Sequence, residues 1–317
     1  MILSNFIFSL NATLPLFLTI ALGYFLKRIK LLTEDFLAVC DKLVFKVALP
    51  LMLFKDISEM DLYSDFDLRF VLFCMGVTTL MFIVPWIGAR LFMEDKASVG
   101  AFAQGCSRGS AAVLGIALTE NIYGNSGQAP MMILAAVPLF NIYSVIILTL
   151  GSSDNKVRGK QFVKKLAKGI VTNPIIIGIA AGFIPALLRI DFPVIVDKTV
   201  NSVSSLSTPL ALISIGGAFS FSYAREKLKP ALIAAIVKLI AIPAVFLPLA
   251  QNMGFKKDCM VAILIMLASS STPSGYIMAK NMHNDHVLAS NIIVITTLFS
   301  CLTLTFWVWM LKMTGNI

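Results

Sequence analysis

The most constraining feature of the sequence is a series of apolar runs, each about as long as a membrane is thick. A helix needs about 20 consecutive apolar residues to cross the hydrocarbon core of a bilayer. Hydrophobic residues make up 58% of the 317 residues and charged residues only 14%, which excludes an ordinary soluble domain. The sequence predicts an all-α membrane protein with ten spans. They lie near 5–26, 35–55, 69–92, 98–123, 128–150, 169–189, 199–220, 230–252, 258–281 and 287–311.

The basic residues indicate how these spans are oriented. The formal net charge is +9, but Lys and Arg cluster between apolar runs and do not form the stripe that would suggest a nucleic acid partner. If the spans alternate, fifteen of the 26 basic residues share one side of the membrane, seven lie on the other and four are within spans. The excess marks the cytoplasmic side. We therefore predict a multi-pass membrane protein with both termini outside and the lipid bilayer as a partner.

Cysteine and histidine give no sign of a metal or redox centre. The five cysteines lie in or beside apolar runs without metal-ligand spacing. His283 and His286 are three residues apart and lack an adjacent acidic ligand set other than Asp285, which is typical of a polar turn. We predict no metal site, no cofactor and no catalytic residues.

The two halves of the chain share prolines and glycines at a constant offset of 159 residues. The basic segment 151–168 separates five spans from five more, so related halves must have opposite orientations. This predicts a single transporter domain of two inverted five-helix repeats, 1–150 and 169–317. Unrelated helix kinks remain the alternative. The matched positions are Pro15 with Pro174, Gly23 with Gly182, Tyr24 with Phe183, and Pro50 with Pro209.

Two spans contain clusters of glycine, hydroxyl residues and proline that should interrupt their helices. The fourth span carries residues 105–110 (GCSRGS) and the ninth carries residues 269–275 (SSSTPSG). Irregular backbone at membrane depth persists only where protein or a watery cavity satisfies it. At 1.5 Å per residue, Arg108 lies about 15 Å and Pro273 about 12 Å from the cytoplasmic ends of their spans. We therefore expect helices 4 and 9 to break and cross beside a common pocket, although the small residues could instead serve close helix packing.

Arg108 strengthens the case for a binding site. A guanidinium near the bilayer centre is costly unless it has a partner, and Lys46 and Lys238 lie at comparable depths. Asp41 is the one acidic residue that falls clearly within a predicted span. An interior with more cations than anions favours an anionic substrate, which Arg108 could bind through two parallel hydrogen bonds. Snorkelling is the alternative for the lysines.

These patterns give two sets of candidate residues. Asn141 follows Pro138, where a freed carbonyl is also available, and interhelical bonding is the alternative for each amide. The candidate substrate-binding residues are Gln104, Ser107, Arg108, Ser110, Asn141, Ser271, Thr272, Pro273, Ser274 and Gly275. The candidate ion-binding or charge-pair residues are Asp41, Lys46, Lys238 and Asn291.

One motif offers an enzymatic alternative. Residues 105–109 match G-x-S-x-G, the nucleophile pattern of serine hydrolases, with Ser107 as the nucleophile. A hydrolase also needs a base, and His283 and His286 fall in the cytoplasmic turn about 13 Å from Ser107 in depth. We therefore favour a transporter over an intramembrane serine hydrolase. A membrane receptor that binds the same ligands without transporting them stays open.

Several stretches resemble the auxin efflux carrier family. Residues 43–54 (LVFKVALPLMLF) resemble its "LVFxVALPxLLF" signature, residues 108–118 resemble its "RxxNxxxxGxPL" stretch, and residues 268–304 follow its C-terminal pattern. The resemblance covers the whole chain. It implies the fold of sodium–bile-acid symporters and NhaA-like exchangers, in which broken helices 4 and 9 cross beside the substrate, and an elevator-like movement of a core against a scaffold.

Two departures from the family pattern bear on the substrate. Ala111 and Ala117 stand where the family usually has Asn and Pro. The short segment 151–168 resembles the bacterial branch, whose members are associated with malate, malonate and similar carboxylates. The resemblance thus implies a bacterial organic-anion permease of the plasma membrane, which is the inner membrane of a bacterium. The coupling ion, Na⁺ or H⁺, the direction of transport and a homodimer are left open by the sequence.

Overall fold

The computed structural model describes residues 2–60, 67–151 and 160–317. Within these ranges the backbone consists of helices and connecting turns, with no strand. The helices are α1 Ile2–Arg28, α2 Glu34–Leu43, α3 Leu49–Ser58, α4 Leu68–Phe92, α5 Val99–Ser107, α6 Ala111–Tyr123, α7 Ala129–Gly151, α8 Lys160–Val171, α9 Pro174–Leu188, α10 Val194–Ser204, α11 Ser207–Ala218, α12 Phe221–Glu226, α13 Leu228–Ile236, α14 Ile242–Asn252, α15 Asp258–Ala268, α16 Pro273–Asn281 and α17 His286–Met313.

Five helical segments of the described chain are long and apolar enough to cross a membrane. Two of them join consecutive helices, α13 with α14 and α15 with α16. The five segments are Leu68–Phe92, Ala129–Gly151, Leu228–Asn252, Asp258–Asn281 and His286–Met313. The chain is therefore a helical, multi-pass membrane protein, as its composition predicts. The other predicted spans correspond to shorter helical pieces, to the more highly charged segment of α2 and α3, or to regions only partly described.

The helices differ from the predicted spans on both sides of the basic segment 151–168. Its central residues, 152–159, with Lys156 and Arg158, lie outside the described residues, but 160–171 form the helix α8 and not a loop. The predicted span 169–189 is also too long, because α9 begins at Pro174. Asn173 ends the preceding turn, and its side chain caps α9 by accepting a hydrogen bond from the Ile175 N–H at 3.0 Å.

The predicted span 199–220 is two helices and not one. Helix α10 ends at Ser204 and α11 begins at Ser207. Pro209 supplies the physical reason, because a proline has no N–H to donate to the carbonyl four residues earlier, which belongs to Ser205. The ladder of backbone hydrogen bonds therefore breaks at Ser205.

Two other prolines are accommodated by widened helical turns. Residues 44–48 and 237–241 form π-helical turns, each followed by a helix with proline at its second residue, Pro50 or Pro243. Because the π turn shifts the hydrogen bonds by one residue, the chain passes each proline without a break. Helices α2 and α3 therefore form one continuous rod, as do α13 and α14.

Helices from the two halves of the chain pack closely against each other. Helix α1 packs on α11, and α3 packs on α9. A side chain at Gly23 would collide with the backbone of Ile213, and a side chain at Gly182 would collide with the backbone of Phe54. Each glycine therefore lets two backbones approach. The most deeply buried helix is α15, whose residues 260–268 have no exposed side chain.

Candidate functional site

The two predicted helix interruptions are both present. Helix α5 ends at Ser107 and α6 begins at Ala111, whereas α15 ends at Ala268 and α16 begins at Pro273. Pro273 suits the first position of a helix, where its missing N–H is not needed. Each interruption leaves carbonyls at the end of one helix and N–H groups at the start of the next without partners in their own helix.

The two interruptions are in direct contact. The Ser110 N–H donates to the carbonyl oxygen of Ser270 at 2.9 Å, and the Ser271 hydroxyl donates to the carbonyl oxygen of Gly105 at 2.7 Å. A side chain at Gly109 would collide with the Ser269 hydroxyl. The unwound segments thus satisfy part of each other's backbone, and Gly109 permits their close approach.

Arg108 extends from the first interruption and is nearly fully buried, with 4% of its surface exposed. One terminal nitrogen, Nη2, donates to Asn141 Oδ1 and to Ser274 Oγ, each at 2.8 Å, and Nη1 lies 2.8 Å from the sulfur of Met278. These partners are all neutral. Arg108 forms no ion pair with any described residue, so its charge is held by hydrogen bonds alone.

Arg108, Asn141 and Ser274 line a cavity of about 320 Å³. Such a volume suits a small metabolite. Six predicted substrate-binding residues contribute to its wall: Arg108, Ser110, Asn141, Thr272, Pro273 and Ser274. The remaining lining residues are Leu16, Met52, Leu53, Asp56, Gly109, Ala111, Leu114, Val137, Phe140, Ser207 and Thr208. The structure therefore provides a mostly apolar chamber with a cationic group in its wall.

Three predicted residues lie beside Arg108 but outside this cavity. Gln104, Ser271 and Gly275 line a recess of about 10 Å³ that also borders Arg108 and Thr272. The recess is too small for an organic substrate. These three residues therefore support the crossing and do not line the chamber.

The Ser107 side chain does not face the cavity. Its hydroxyl donates to the carbonyl oxygens of Met81 at 2.5 Å and Ala103 at 2.7 Å. The His286 ring instead stacks edge to face on Tyr276. A serine nucleophile needs its proton directed at a base, so this geometry gives the G-x-S-x-G motif no hydrolytic function.

Lys238 is fully buried against the end of α5. Its ammonium donates to the carbonyl oxygen of Ser107 at 2.9 Å. A cation at a helix C-terminus offsets the partial negative charge there. Lys238 therefore stabilises the interruption, and the carbonyl end of α5 is already occupied by a cation of the protein itself.

Asp41 forms a buried ion pair on another part of the molecule. Its carboxylate lies 2.5 Å from the ammonium of Lys280 in the last turn of α16, and it accepts a hydrogen bond from the Ser214 hydroxyl of α11 at 2.5 Å. The Asn281 amide also donates to the Asp41 carbonyl oxygen at 3.3 Å. Helices α2 and α11 are thus tied to α16 by charge.

Two other predicted charge or ion residues are not brought to the cavity. Lys46 is exposed on the outer surface of its helix. Asn291 donates to the carbonyl oxygen of Ala224 at 2.8 Å and so joins α17 to α12. In the structure, Lys46 and Asn291 take no part in the chamber.

The chamber also contains polar residues that were not among the predicted site residues. Asp56 lines it from the last turn of α3, and Ser207 and Thr208 line it from the first turn of α11. The sequence offered one signal for the hydroxyl pair, because Pro209 follows it immediately and breaks the helix there. Asp56 falls one residue beyond the predicted span 35–55 and so looked like a residue of the membrane surface.

A comparison with known proteins identifies the family of the chain. A family model described as "Membrane transport protein" matches residues 8–308, nearly the whole chain. The chain belongs to this family. The match confirms the resemblance to the auxin efflux carrier family, and the protein is a transporter and not an enzyme.

The curated relatives of this membrane transport protein have nearly its own length. It is 24% identical to an "Uncharacterized transporter" of Methanocaldococcus jannaschii, with 95% of this chain and 98% of that protein covered. It is 22% identical to an "Uncharacterized transporter" of Escherichia coli K12, with 96% and 98% covered. It is 25% identical to a "Putative malonate transporter" of Rhizobium meliloti, with 94% of each chain covered.

Proposed function

We propose that the protein is a secondary active transporter of a small organic anion, a carboxylate, and that Arg108 binds the carboxylate. The observation that carries this proposal is a buried guanidinium in the wall of a 320 Å³ chamber, with neutral hydrogen-bond acceptors as its partners. An arginine can hold a carboxylate through two parallel hydrogen bonds. The relative named as a malonate transporter supports a substrate of this class.

The architecture we propose is ten spans in two inverted repeats. Two close contacts support it. Gly23 approaches Ile213, and Gly182 approaches Phe54. Gly182 lies 159 residues after Gly23, and Ile213 lies 159 residues after Phe54, so each contact is the counterpart of the other. A duplicated unit that pairs with its own copy through a pseudo-two-fold axis produces such a reciprocal pair of contacts.

We further propose alternating access by movement of a core against a scaffold. The scaffold comprises α1, α2, α3, α9, α10 and α11, and the core comprises the other spanning helices. The chamber lies between the two parts, since Met52 and Ser207 of the scaffold line it together with Arg108 and Ser274 of the core. A boundary of this kind suits a sliding movement, because the substrate contacts both parts.

The topology follows the positive-inside bias. We propose that both termini lie outside a bacterial plasma membrane. Lys164 and Lys168 of α8 are exposed, as expected of a helix at the cytoplasmic surface. A homodimer and a coupling ion, Na⁺ or H⁺, remain predictions.

Uptake into proteoliposomes tests the proposal. We expect radiolabelled carboxylates to enter vesicles that contain the protein. Arg108→Ala should abolish this entry. Arg108→Lys should retain a small part of it, since lysine keeps the charge but loses the paired geometry. Arg90→Ala is the matched control, because Arg90 stacks on Trp86 away from the chamber. Elution as a single folded species in detergent checks that each variant folds. Undiminished uptake by Arg108→Ala would refute the assignment, and binding without uptake would identify a receptor.

A further inference from the structure

The chamber contains a carboxylate as well as a guanidinium. Asp56 lines the same cavity as Arg108, and it forms no ion pair with any described residue. The neighbouring Lys55 is already paired with Glu59 at 2.8 Å, one turn further along α3. Asp56 is therefore a charged group of the chamber without a protein counter-ion among the described residues.

The surroundings of Asp56 differ from those of Arg108. Asp56 belongs to α3, against which α10 packs, and the residues that follow α10, Ser207 and Thr208, line the same cavity. Arg108 is instead held by Asn141 and Ser274. On the core side of the boundary, the chamber therefore has one cationic group, Arg108, with neutral acceptors. On the scaffold side it has one anionic group, Asp56, and the hydroxyls of Ser207 and Thr208.

This pair of charges bears on the substrate that the chamber can hold. A dicarboxylate in its dianionic form would satisfy Arg108 with one carboxylate but would bring a second negative charge into a chamber that already holds Asp56, and like charges in a partly desolvated site repel strongly. A simple monocarboxylate would leave Asp56 without a counter-ion. A molecule with a carboxylate and a protonated amine would compensate both groups.

We propose that Asp56 is a second specificity-determining residue, and that the preferred substrate is a small zwitterion whose carboxylate binds Arg108 and whose protonated amine binds Asp56. This inference rests on the proposed function, because it assumes that the chamber is the transport site. It also narrows that function, since it assigns a ligand group to the scaffold side of the chamber and replaces a net anion by a carboxylate that carries an amine, in contrast to the malonate named for one relative.

The test compares substrates of equal length that differ only at the end distant from the carboxylate. The three-carbon pair is β-alanine and malonate, and the four-carbon pair is γ-aminobutyrate and succinate. Uptake of each radiolabelled compound is measured separately in the same proteoliposomes at pH 7. We expect the wild-type protein to take up at least one amino compound at least tenfold faster than its dicarboxylate partner.

Asp56→Asn should reverse or abolish that preference. The substitution keeps the size of the side chain and removes the charge, so we expect the ratio of amino compound to dicarboxylate to fall at least tenfold. Glu120→Gln is the matched control, since it removes an exposed carboxylate from the last turn of α6 without altering the lining of the chamber or the pair between Lys55 and Glu59. This control should leave the ratio unchanged.

The outcomes separate this inference from the proposed function. A wild-type preference for the dicarboxylates, no uptake of either amino compound, or a ratio that Asp56→Asn does not change would overturn the zwitterion proposal. If carboxylates still enter and Arg108→Ala still abolishes their entry, the proposed function stands without it. If no carboxylate enters, or if Arg108→Ala has no effect, the proposed function itself fails.

Discussion

The buried ion pair between Asp41 and Lys280 should hold the transporter in the conformation observed here. It joins α2, together with Ser214 of α11, to α16, and therefore crosses the proposed boundary between scaffold and core. Asp56 lies at the other end of the continuous rod formed by α2 and α3, fifteen residues or about 22 Å from Asp41. The chamber reaches Asp56, whereas the ion pair lies at the opposite end of the rod. Loss of the pair should favour the alternate conformation.

The size of the effect follows from the burial of the two partners. Removing one partner of a fully buried pair costs about 3–5 kcal/mol, whereas exposed pairs contribute about 0.2–1 kcal/mol. The Asp41 side chain is 3% exposed and that of Lys280 is 27% exposed, so an intermediate value of about 2 kcal/mol applies. That energy corresponds to about a 30-fold change in the ratio of the two conformations.

Two cysteines can report this change in opposite directions. Native Cys40 is buried beside Asp41, so its alkylation requires the alternate conformation. A Thr208→Cys reporter lines the chamber in the observed conformation. The background carries Cys259→Ser, which removes the one cysteine that is not buried. In this background, Asp41→Asn should raise the alkylation rate at Cys40 by up to about 30-fold. The same substitution should lower the alkylation rate at residue 208.

The opposite directions make the test decisive. A variant that simply unfolds would expose both cysteines, so a rise at both positions would contradict a conformational shift. Unchanged rates at both positions would show that the ion pair does not control the equilibrium. Glu34→Gln is the matched control, because it breaks the exposed pair between Lys27 and Glu34 at the same end of α2, and we expect little change.

Three further predictions concern the core. Replacing Na⁺ with choline should leave uptake unchanged, because the Lys238 ammonium already binds the carbonyl end of α5; uptake that requires Na⁺ would contradict this. Gly109→Ala should lower thermal stability by about 1–3 kcal/mol through overpacking against the Ser269 hydroxyl and the Lys238 ammonium, and an unchanged melting temperature would show that the crossing can relax. The hydrogen bond from Lys227 lowers the pKa of Asp95. Lys227→Met should therefore destabilise the protein by about 1 kcal/mol at pH 7. Lys227 also pairs with Asp285, and the pKa of both carboxyls lies below the ordinary aspartate value, so in melts at several pH values the difference should begin to shrink near pH 4 and be lost only after both carboxyls are protonated.

The interruptions could be predicted from the sequence because they depend on local chemistry. Residues 105–110 and 269–275 place glycine, hydroxyls and proline inside apolar runs, and no regular membrane helix accommodates such clusters without support. Arg108 could be singled out for the same reason, since a guanidinium at that depth needs partners wherever they come from. Asn141 and Ser274 were among the candidate residues, but their hydrogen bonds to Arg108 depend on packing between distant segments.

Other features depend on tertiary structure and could not be predicted in this way. Lys46 and Lys238 lie at similar depths in the sequence, yet one is exposed and the other is fully buried, because the neighbours of each helix decide which face is covered. Asp56 was missed because hydropathy defines where a span ends and not where a cavity ends. The amphipathic helix α8 was missed because its lysines were interpreted only as orientation signals.

The positions of Arg108 and Asp56 connect substrate recognition to the proposed movement. In the proposed division Arg108 belongs to the core and Asp56 to the scaffold, so the proposed sliding of the core would change the distance between them. A ligand that binds both residues therefore has a different affinity in the two conformations, and only such a difference allows a ligand to shift a conformational equilibrium. A zwitterion should bind more tightly in the conformation in which Arg108 and Asp56 are better spaced for it and be released more readily from the other. Asp56→Asn should remove this asymmetry while Arg108 continues to bind the carboxylate, so binding from the two sides, measured in oriented vesicles, should become equal in the variant.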